Sequence, residues 1–275
     1  MGSFFCSNIN KRPARNQINA KAMHSRKFPG SVFLFFSSVI LAVALTSAYD
    51  STGRTFDPPE EIKIDNKGDG PLLELLFTRG SEHNHPLMAI WIEDIDSNFV
   101  ETIYVAESIG TGYFRYGTPS EGRWMPGPVR RPAALPYWGH KRGVRADDGY
   151  YIPDRDNPVP DAITGPTPKS SFVIYFRAPS GGLRQFRLLF EINQSWDWND
   201  HWTNNKFPGD PHYMSSSQPA LVYEVNVDLD SGIGEYELQA IGHSHWSGQN
   251  GNLYPDLSTI TTALDISSSI KLRIP

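Results

Sequence analysis

Cysteine is almost absent from this sequence: Cys6 is the only one in 275 residues. It lies ahead of the first long apolar run and not at its end, where a lipid-modified cysteine would be expected. The rest of the chain therefore has no disulfide and no thiol chemistry. Its stability must come from its hydrophobic core alone.

The chain beyond residue 48 also lacks sustained helical periodicity, internal repeats and the common catalytic motifs. It contains no Gly-x-Ser-x-Gly elbow, no His-Glu-x-x-His pair and no phosphate-binding loop. Ser244 lies between two histidines, but adjacent residues of a strand face opposite sides. They cannot form a nucleophile–base pair without a bend. These absences predict a protein that is not an enzyme.

Acidic residues are missing from the first 48 positions, which contain six lysines and arginines. Residues 31–48 (SVFLFFSSVILAVALTSA) are apolar, uncharged and end in small residues, so residues 1–48 are predicted to be a secretory signal peptide. Because the apolar run is just long enough to cross a bilayer, an uncleaved anchor through residues 31–48 is the alternative. Either way, we expect the remainder in the periplasm or elsewhere outside the cytoplasm.

The net charge of residues 49–275 limits the classes of partner that they are expected to bind. Without the six leader cations, 19 of the 25 basic residues stand against 30 acidic residues, a net charge of −11. Such a surface argues against nucleic acid and anionic membranes as partners.

Short strands with turn signals between them make up most of the chain after the leader. Apolar runs predict strands at residues 60–66, 71–78, 87–94, 98–106, 171–178, 183–193, 219–229, 235–241 and 260–266, with a hairpin turn at residues 179–182. This pattern predicts an all-β protein, an antiparallel sandwich over residues 71–275. Residues 49–70 are predicted to be a linker with an edge strand. A closed barrel is the alternative architecture.

Two long irregular segments interrupt the strands. Residues 110–169 contain ten prolines, and proline fixes φ and removes a backbone donor, so neither a central strand nor a helix is expected there. We expect this loop to pack onto the domain through four aromatic residues, Trp124, Tyr137, Trp138 and Tyr150. Residues 195–218 form the second, aromatic loop.

Four stretches carry a resemblance to a known family: residues 87–105 (LMAIWIEDIDSNFVETIYV), 161–167 (DAITGPT), 218–228 (QPALVYEVNVD) and 241–263 (IGHSHWSGQNGNLYPDLSTITTA). They resemble the domain-of-unknown-function 2271 family of predicted periplasmic proteins, over roughly residues 71–274. The resemblance implies an immunoglobulin-like sandwich, similar to an accessory domain of flagellar hook-capping proteins. It implies no established activity, but an association with membrane redox or iron-uptake complexes of the cell envelope.

One of these stretches is similar to a flavin-attachment signal. In that signal an acidic residue precedes a Ser/Thr-Gly-Ala-Thr run, and the last Thr carries flavin mononucleotide through a phosphoester. The resemblance would make Thr167 the attachment residue, with Pro166 standing where the signal has Ala. The alternative is an ordinary Pro-Gly turn that leads into the next strand.

Two His-x-His pairs suggest a metal site. Residues i and i+2 of a strand point to the same face, so His243 and His245, or more weakly His83 and His85, could present two imidazoles together. Neutral imidazole binds zinc or copper, and Asp256 could complete the first set, as could Asp200 or His201. The alternative is that these histidines only line a polar rim.

Tryptophans flanked by Asp and Asn give the second binding hypothesis. Trp196, Trp198 and Trp202 could stack on sugar rings, or the loop could bury them against the sheet as a lid. The sequence thus predicts an exported, non-catalytic binding or accessory module. Its ligand is a divalent metal, with carbohydrate as the alternative and covalent flavin as a weaker one.

Overall fold

The computed structural model describes residues 58–120, 122–159 and 164–275; the predicted leader at residues 1–48 lies outside them. In these ranges the chain forms strands and three short helices. In chain order they are β1 (Glu60–Lys63), β2 (Leu72–Arg79), β3 (Leu87–Glu93), β4 (Phe99–Ala106), α1 (Glu107–Thr111), β5 (Tyr113–Ser120), β6 (Arg123–Pro128), α2 (Pro136–Arg142), β7 (Thr164–Gly165), β8 (Phe172–Arg177), β9 (Gln185–Asn193), α3 (Pro211–Ser216), β10 (Leu221–Asp228), β11 (Gly234–Glu237), β12 (Gln239–His243) and β13 (Ser267–Ile274).

The strands build two facing sheets, which confirms the predicted all-β sandwich. One sheet has the order β1-β8-β2-β13-β11 and the other β12-β10-β9-β3-β4-β7, while β5 and β6 pair only with each other. The expected purely antiparallel arrangement is wrong at two edges. There β1 pairs with β8, and β7 with β4, in parallel. The predicted edge strand near residue 60 is β1.

A single hydrophobic core fills the space between the two sheets. Leu73, Leu75 and Phe77 alternate along β2 with less buried residues and have no exposed surface. The ring of Phe77 stacks on Phe190 of the opposite sheet, with 5.7 Å between the centroids. Each fully buried side chain of this size contributes about 1.5–3 kcal/mol, so this contact layer holds the sheets together.

The six-stranded sheet is covered on both faces. Every residue of β3 is buried. Met88 and Ile90 belong to the core between the sheets, whereas Ala89 and Trp91 belong to a second apolar cluster on the outer face. A strand buried on both sides reads as a continuous apolar run, which explains the sequence LMAIWIE.

The proline-rich segment after β4 is the cover of that outer face. Leu135, Trp138 and Ile152 pack there against Trp91. The expectation that this segment contains no helix is wrong, because α2 starts at Pro136. Proline is tolerated in the first turn of a helix, where the missing N–H would have had no intrahelical partner.

The β5–β6 hairpin stands apart from both sheets. Trp124 is 58% exposed there, so the expectation that it packs onto the domain is wrong. Among the described residues, β5 and β6 pair only with each other, and Trp124 belongs to neither apolar cluster. Tyr137 and Trp138 are buried and Tyr150 is half-buried, as expected.

A buried carboxyl group fastens the cover to the sheet. Glu191 lies on β9, opposite Ala89 and Val222 of the neighbouring strands, and has no exposed surface. Its Oε1 accepts the backbone N–H of Tyr137 at 3.2 Å and its Oε2 that of Trp138 at 2.8 Å. These are N–H groups of the first turn of α2, which has no side-chain cap of its own. The sheet therefore caps the helix.

The structure differs from three local predictions made from the sequence. Residues 179–182 do not close a hairpin, because β8 and β9 belong to different sheets. The strand expected at residues 235–241 breaks at Leu238, where the chain passes from one sheet to the other. Instead of a strand at residues 260–266, a 3-10 turn at Thr262–Asp265 leads into β13.

Among the helices of the described ranges, none combines the length and the apolar character needed to cross a lipid bilayer.

The buried carboxyl group of Glu191 predicts how the free energy of unfolding depends on pH. Burial raises its pKa from the ordinary 4.5 to about 8, against the opposing effect of the two backbone N–H groups. A raised pKa means that the folded state holds the proton more tightly than the unfolded state. The stabilisation is complete below the unfolded value and is lost as the pH rises to about 8. We expect urea-unfolding free energies to fall over this range in the parent and to fall less in Glu191→Gln.

The control is Glu61→Gln, on an exposed residue of β1, which should keep the parent's pH dependence. Glu191→Ala should lower the free energy of unfolding by about 3 kcal/mol, because it leaves two buried N–H groups without an acceptor. A Glu191→Gln protein with the same pH slope as the parent would contradict this role.

Candidate functional site

The loop between β9 and β10 is folded back on its own end. The N–H of Trp196 donates to the carbonyl of Ser215 at 3.3 Å, and the N–H of Gln218 donates to the carbonyl of Asp197 at 3.1 Å. Asp197 and Ser217 form an isolated parallel bridge. The first residues of the loop therefore run as a short extended segment beside its last residues.

This extended segment places two indoles in solvent. The carboxylate of Asp197 is turned inward and accepts the hydroxyl of Thr262 at 2.5 Å. Its two neighbours, Trp196 and Trp198, are 53% and 43% exposed. Their rings meet edge to face, 5.9 Å between centroids. Trp196 has φ +67°, a backbone conformation that is unfavourable for a bulky residue, so the surrounding contacts must hold it.

Polar side chains inside the loop supply those contacts. Asn199 Nδ2 donates to Gln218 Oε1 at 3.1 Å and to the carbonyl of Thr259 at 2.9 Å. Its Oδ1 accepts the N–H groups of His201 and Trp202. Gln218, 1% exposed, also accepts the N–H of Thr261. These directional hydrogen bonds hold the loop in one conformation.

Trp202 does not belong to the exposed pair. It is 5% exposed, and its Nε1 donates to Thr259 Oγ1 at 3.1 Å. Its ring lies 6.4 Å from Tyr213 and 6.2 Å from Trp246, inside the core between the sheets. Trp202 is therefore buried away from solvent, whereas Trp196 and Trp198 are exposed. The loop is part lid and part exposed surface.

His243 and His245 sit in an aromatic cluster beside this loop, each 6% exposed. Tyr254 stacks on His243 at 5.4 Å and lies 6.0 Å from the ring of His245, which itself stacks on Trp246 at 4.1 Å. Burial lowers the pKa of both histidines, which favours neutral rings. The following turn needs Gly248, with φ +77°, because a Cβ there would lie 2.1 Å from the carbonyl oxygen of Pro132.

The hydrogen bonds of the two rings assign opposite tautomers. His243 Nδ1 faces the carbonyl of Ser244 at 2.8 Å, so it carries the proton and leaves the Nε2 lone pair free. His245 Nδ1 accepts the N–H of Ser247 at 3.1 Å, so the proton of the neutral ring is on Nε2. A metal binds a ring nitrogen through its lone pair. His243 therefore suits metal ligation and His245 does not.

The remaining metal candidates are scattered. Asp256 is exposed, and the N–H of Ser258 lowers the pKa of its carboxyl, with a smaller contribution from His243. His201 is exposed against Trp202, and Asp200 is exposed. Across the described ranges, no three or more His, Cys, Asp or Glu side chains are grouped so that they could hold a metal ion.

The weaker pair, His83 and His85, is divided by its surroundings. His83 packs on Phe77 at 5.7 Å, its Nε2 is buried without a hydrogen bond, and burial lowers its pKa. His85 is exposed, with φ +51°. One ring is thus part of the core edge and the other is in solvent.

The flavin-like segment is only partly described, since residues 160–163 lie outside the described ranges. Thr164 and Gly165 form β7, the edge strand of the six-stranded sheet, which pairs with β4. The hydroxyl of Tyr104 donates to the carbonyls of Gly165 and Pro166 at 3.0 and 2.9 Å. Thr167 is half-buried. The residues before Thr167 are held on the sheet.

The structure also brings forward residues that the sequence did not single out. Asn199 and Gln218 fix the tryptophan loop, and Arg131 donates to Ser195 Oγ at 2.6 Å, next to Trp196. For Asn199 the sequence carried a weak signal, because Asn favours turns. No sequence signal pointed to Arg131, since the contact joins positions far apart in the chain.

The chain matches no family model, no curated protein and no solved structure.

The histidine tautomers can be checked directly. We expect the neutral form of His243 to carry its proton on Nδ1 and the neutral form of His245 to carry its proton on Nε2. Both follow from burial and from the opposite polarity of their hydrogen-bond partners. Long-range nitrogen–proton NMR spectra of the imidazole rings, assigned with His243→Ala and His245→Ala, report the tautomers. A proton on Nδ1 of His245 would contradict this assignment.

Proposed function

We propose that this protein is a non-catalytic binding module that recognises carbohydrate through Trp196 and Trp198. The observation that carries the proposal is the exposed indole pair on a loop whose backbone is held from inside. Exposed aromatic faces beside polar groups suit a sugar ring, which offers C–H groups on its faces and hydroxyls at its edge.

The rigidity of the loop supports a binding role over an accidental exposure. Asp197 and Asn199, together with Gln218, supply buried hydrogen bonds on either side of the two indoles. A surface that is ordered before the ligand arrives loses less conformational entropy on binding. The strained backbone at Trp196 fits the same reading, because such conformations concentrate at ligand sites.

A divalent transition metal is the second ligand class, and only His243 favours it. Its Nδ1 is held by a carbonyl and its Nε2 lone pair is free, which is how metal-binding histidines are commonly oriented. Asp256 is near enough to influence its pKa. The opposite tautomer of His245 is why this class stands second. Covalent flavin at Thr167 stands third.

The context of the module stays as the sequence predicts it. We infer an exported protein, cleaved or anchored at residues 31–48, that assists a membrane complex of the cell envelope. The immunoglobulin-like identity of the sandwich and membership of the domain-of-unknown-function 2271 family are part of the same prediction.

The decisive experiment is glycan binding by tryptophan variants. Trp196→Ala and Trp198→Ala should each weaken binding about 10- to 100-fold, which corresponds to about 1.4–2.8 kcal/mol for the loss of a stacking contact. Glycan arrays identify the ligand and isothermal titration calorimetry gives the affinity. Because both side chains are exposed, the melting temperature should change little.

The matched control is Trp124→Ala, another exposed tryptophan on the separate β5–β6 hairpin. Its affinity should equal that of the parent. An array without any bound glycan would defeat the proposal, and so would binding that both loop variants retain.

A further inference from the structure

Arg130 and Arg131 are adjacent in the chain but differ in how their charges are compensated. Arg130 donates from Nε and Nη2 to both carboxylate oxygens of Asp148, at 2.5 and 2.8 Å, and from Nη1 to two backbone carbonyls. Among the described residues, the guanidinium of Arg131 makes one hydrogen bond, from Nη1 to the hydroxyl of Ser195. In the part of the chain that the structure describes, no carboxylate lies within ion-pair distance of Arg131.

The guanidinium of Arg131 is also partly removed from water. It lies over the ring of Phe114, 4.8 Å from the centroid. Its Nε is sealed from solvent without a hydrogen-bond partner, whereas Nη2, equally without a partner among the described residues, reaches solvent. Burial lowers the pKa of Arg131, and no neighbouring charge opposes it. Arginine stays charged in proteins, so this is a desolvated cation without a counter-ion, which is costly for the fold alone.

Arg142 is a second half-buried arginine, and its surroundings explain how the fold tolerates its charge. Arg142 also lacks a carboxylate partner among the described residues, but it lies in the last turn of α2 and over the ring of Trp138 at 5.3 Å. The negative end of the helix dipole stabilises a cation there. Arg131 belongs to no helix, so this explanation does not apply to it.

The position of Arg131 supplies the missing explanation. Ser195, its hydrogen-bond partner, immediately precedes Trp196 in the chain, so the hydrogen bond ties the cation to the start of the tryptophan loop. We propose that Arg131 recognises an anion within the Trp196–Trp198 site, and that the ligand is a polysaccharide bearing carboxylates, a polyuronate. The planar guanidinium matches the geometry of a carboxylate. This inference rests on the proposed carbohydrate-binding function.

The net charge of the protein allows a local contact with an anion to be distinguished from long-range attraction. The whole chain has a net charge of −5, so long-range electrostatics disfavour a polyanion. A preference for an acidic polysaccharide over its neutral form would therefore report a local contact.

The test compares polygalacturonate with its methyl ester, which keeps the sugar chain and removes the charge. The parent should bind the acid form about tenfold more tightly at low salt, and the difference should shrink as salt screens it. Arg131→Gln should bind both forms with the affinity that the parent shows for the ester. Arg131→Lys, which keeps the charge but loses the planar fork, should show an intermediate preference.

A matched control separates the charge at this site from a charge elsewhere. Arg142→Gln makes the same change of charge at the half-buried arginine that packs on Trp138, and it should retain the preference for the acid form. Circular dichroism verifies the fold of each variant. If Arg131→Gln does not fold, the Arg131→Lys comparison decides.

The experiment distinguishes a failure of the carbohydrate-binding function from a failure of the role of Arg131. If the parent binds no glycan, charged or neutral, the carbohydrate function itself is wrong. If it binds the acid and the ester equally, and Trp198→Ala abolishes both, the carbohydrate function stands and the role of Arg131 is overturned. An unchanged preference in Arg131→Gln or Arg131→Lys overturns it as well.

Discussion

The hydrogen bonds of Glu191 to the first turn of α2 attach the proline-rich cover to the outer face of the six-stranded sheet. Two further polar contacts join the same helix to the sheet, from Trp138 Nε1 to Thr102 Oγ1 at 3.0 Å and from Lys141 Nζ to Glu93 Oε2 at 3.2 Å. Hydrophobic contacts are not directional, whereas two N–H groups on one carboxyl group fix both position and angle. The segment that leads into α2 has attachments of its own, from Arg130 to Asp148 and from Arg131 to Ser195.

A different kind of order governs the tryptophan loop. Its fixed points are neutral amides and hydroxyls of Asn199, Gln218 and Thr262, with Asp197 as the one carboxylate. Such a network keeps two large apolar side chains in water, where the hydrophobic effect alone would fold them onto the core. The neighbouring histidines are tied to backbone groups in ways that serve the turn at Ser244–Ser247. This contrast is why the indoles and not the imidazoles carry the proposed function.

Period-two patterns and apolar runs were enough to locate the principal strands, since they record which faces are buried. They were not enough for features that depend on partners distant in the chain. Trp198 and Trp202 are the same residue type four positions apart, yet only one meets Thr259 and Tyr213. Leu238 looks like any apolar strand residue, although the chain changes sheets there. Pro136 looked like a helix breaker because its position within the first turn could not be read from composition.

The pairing of β13 with β2 joins residues close to the two ends of the described domain, Ser267 with Arg79 and Arg273 with Glu74. The five-stranded sheet therefore cannot be completed until almost the whole chain is available. Contacts of such high sequence separation make folding slow, because the intervening loop must be closed first. The connectivity therefore makes β13, which comes last among the described strands, the element on which completion of this sheet waits.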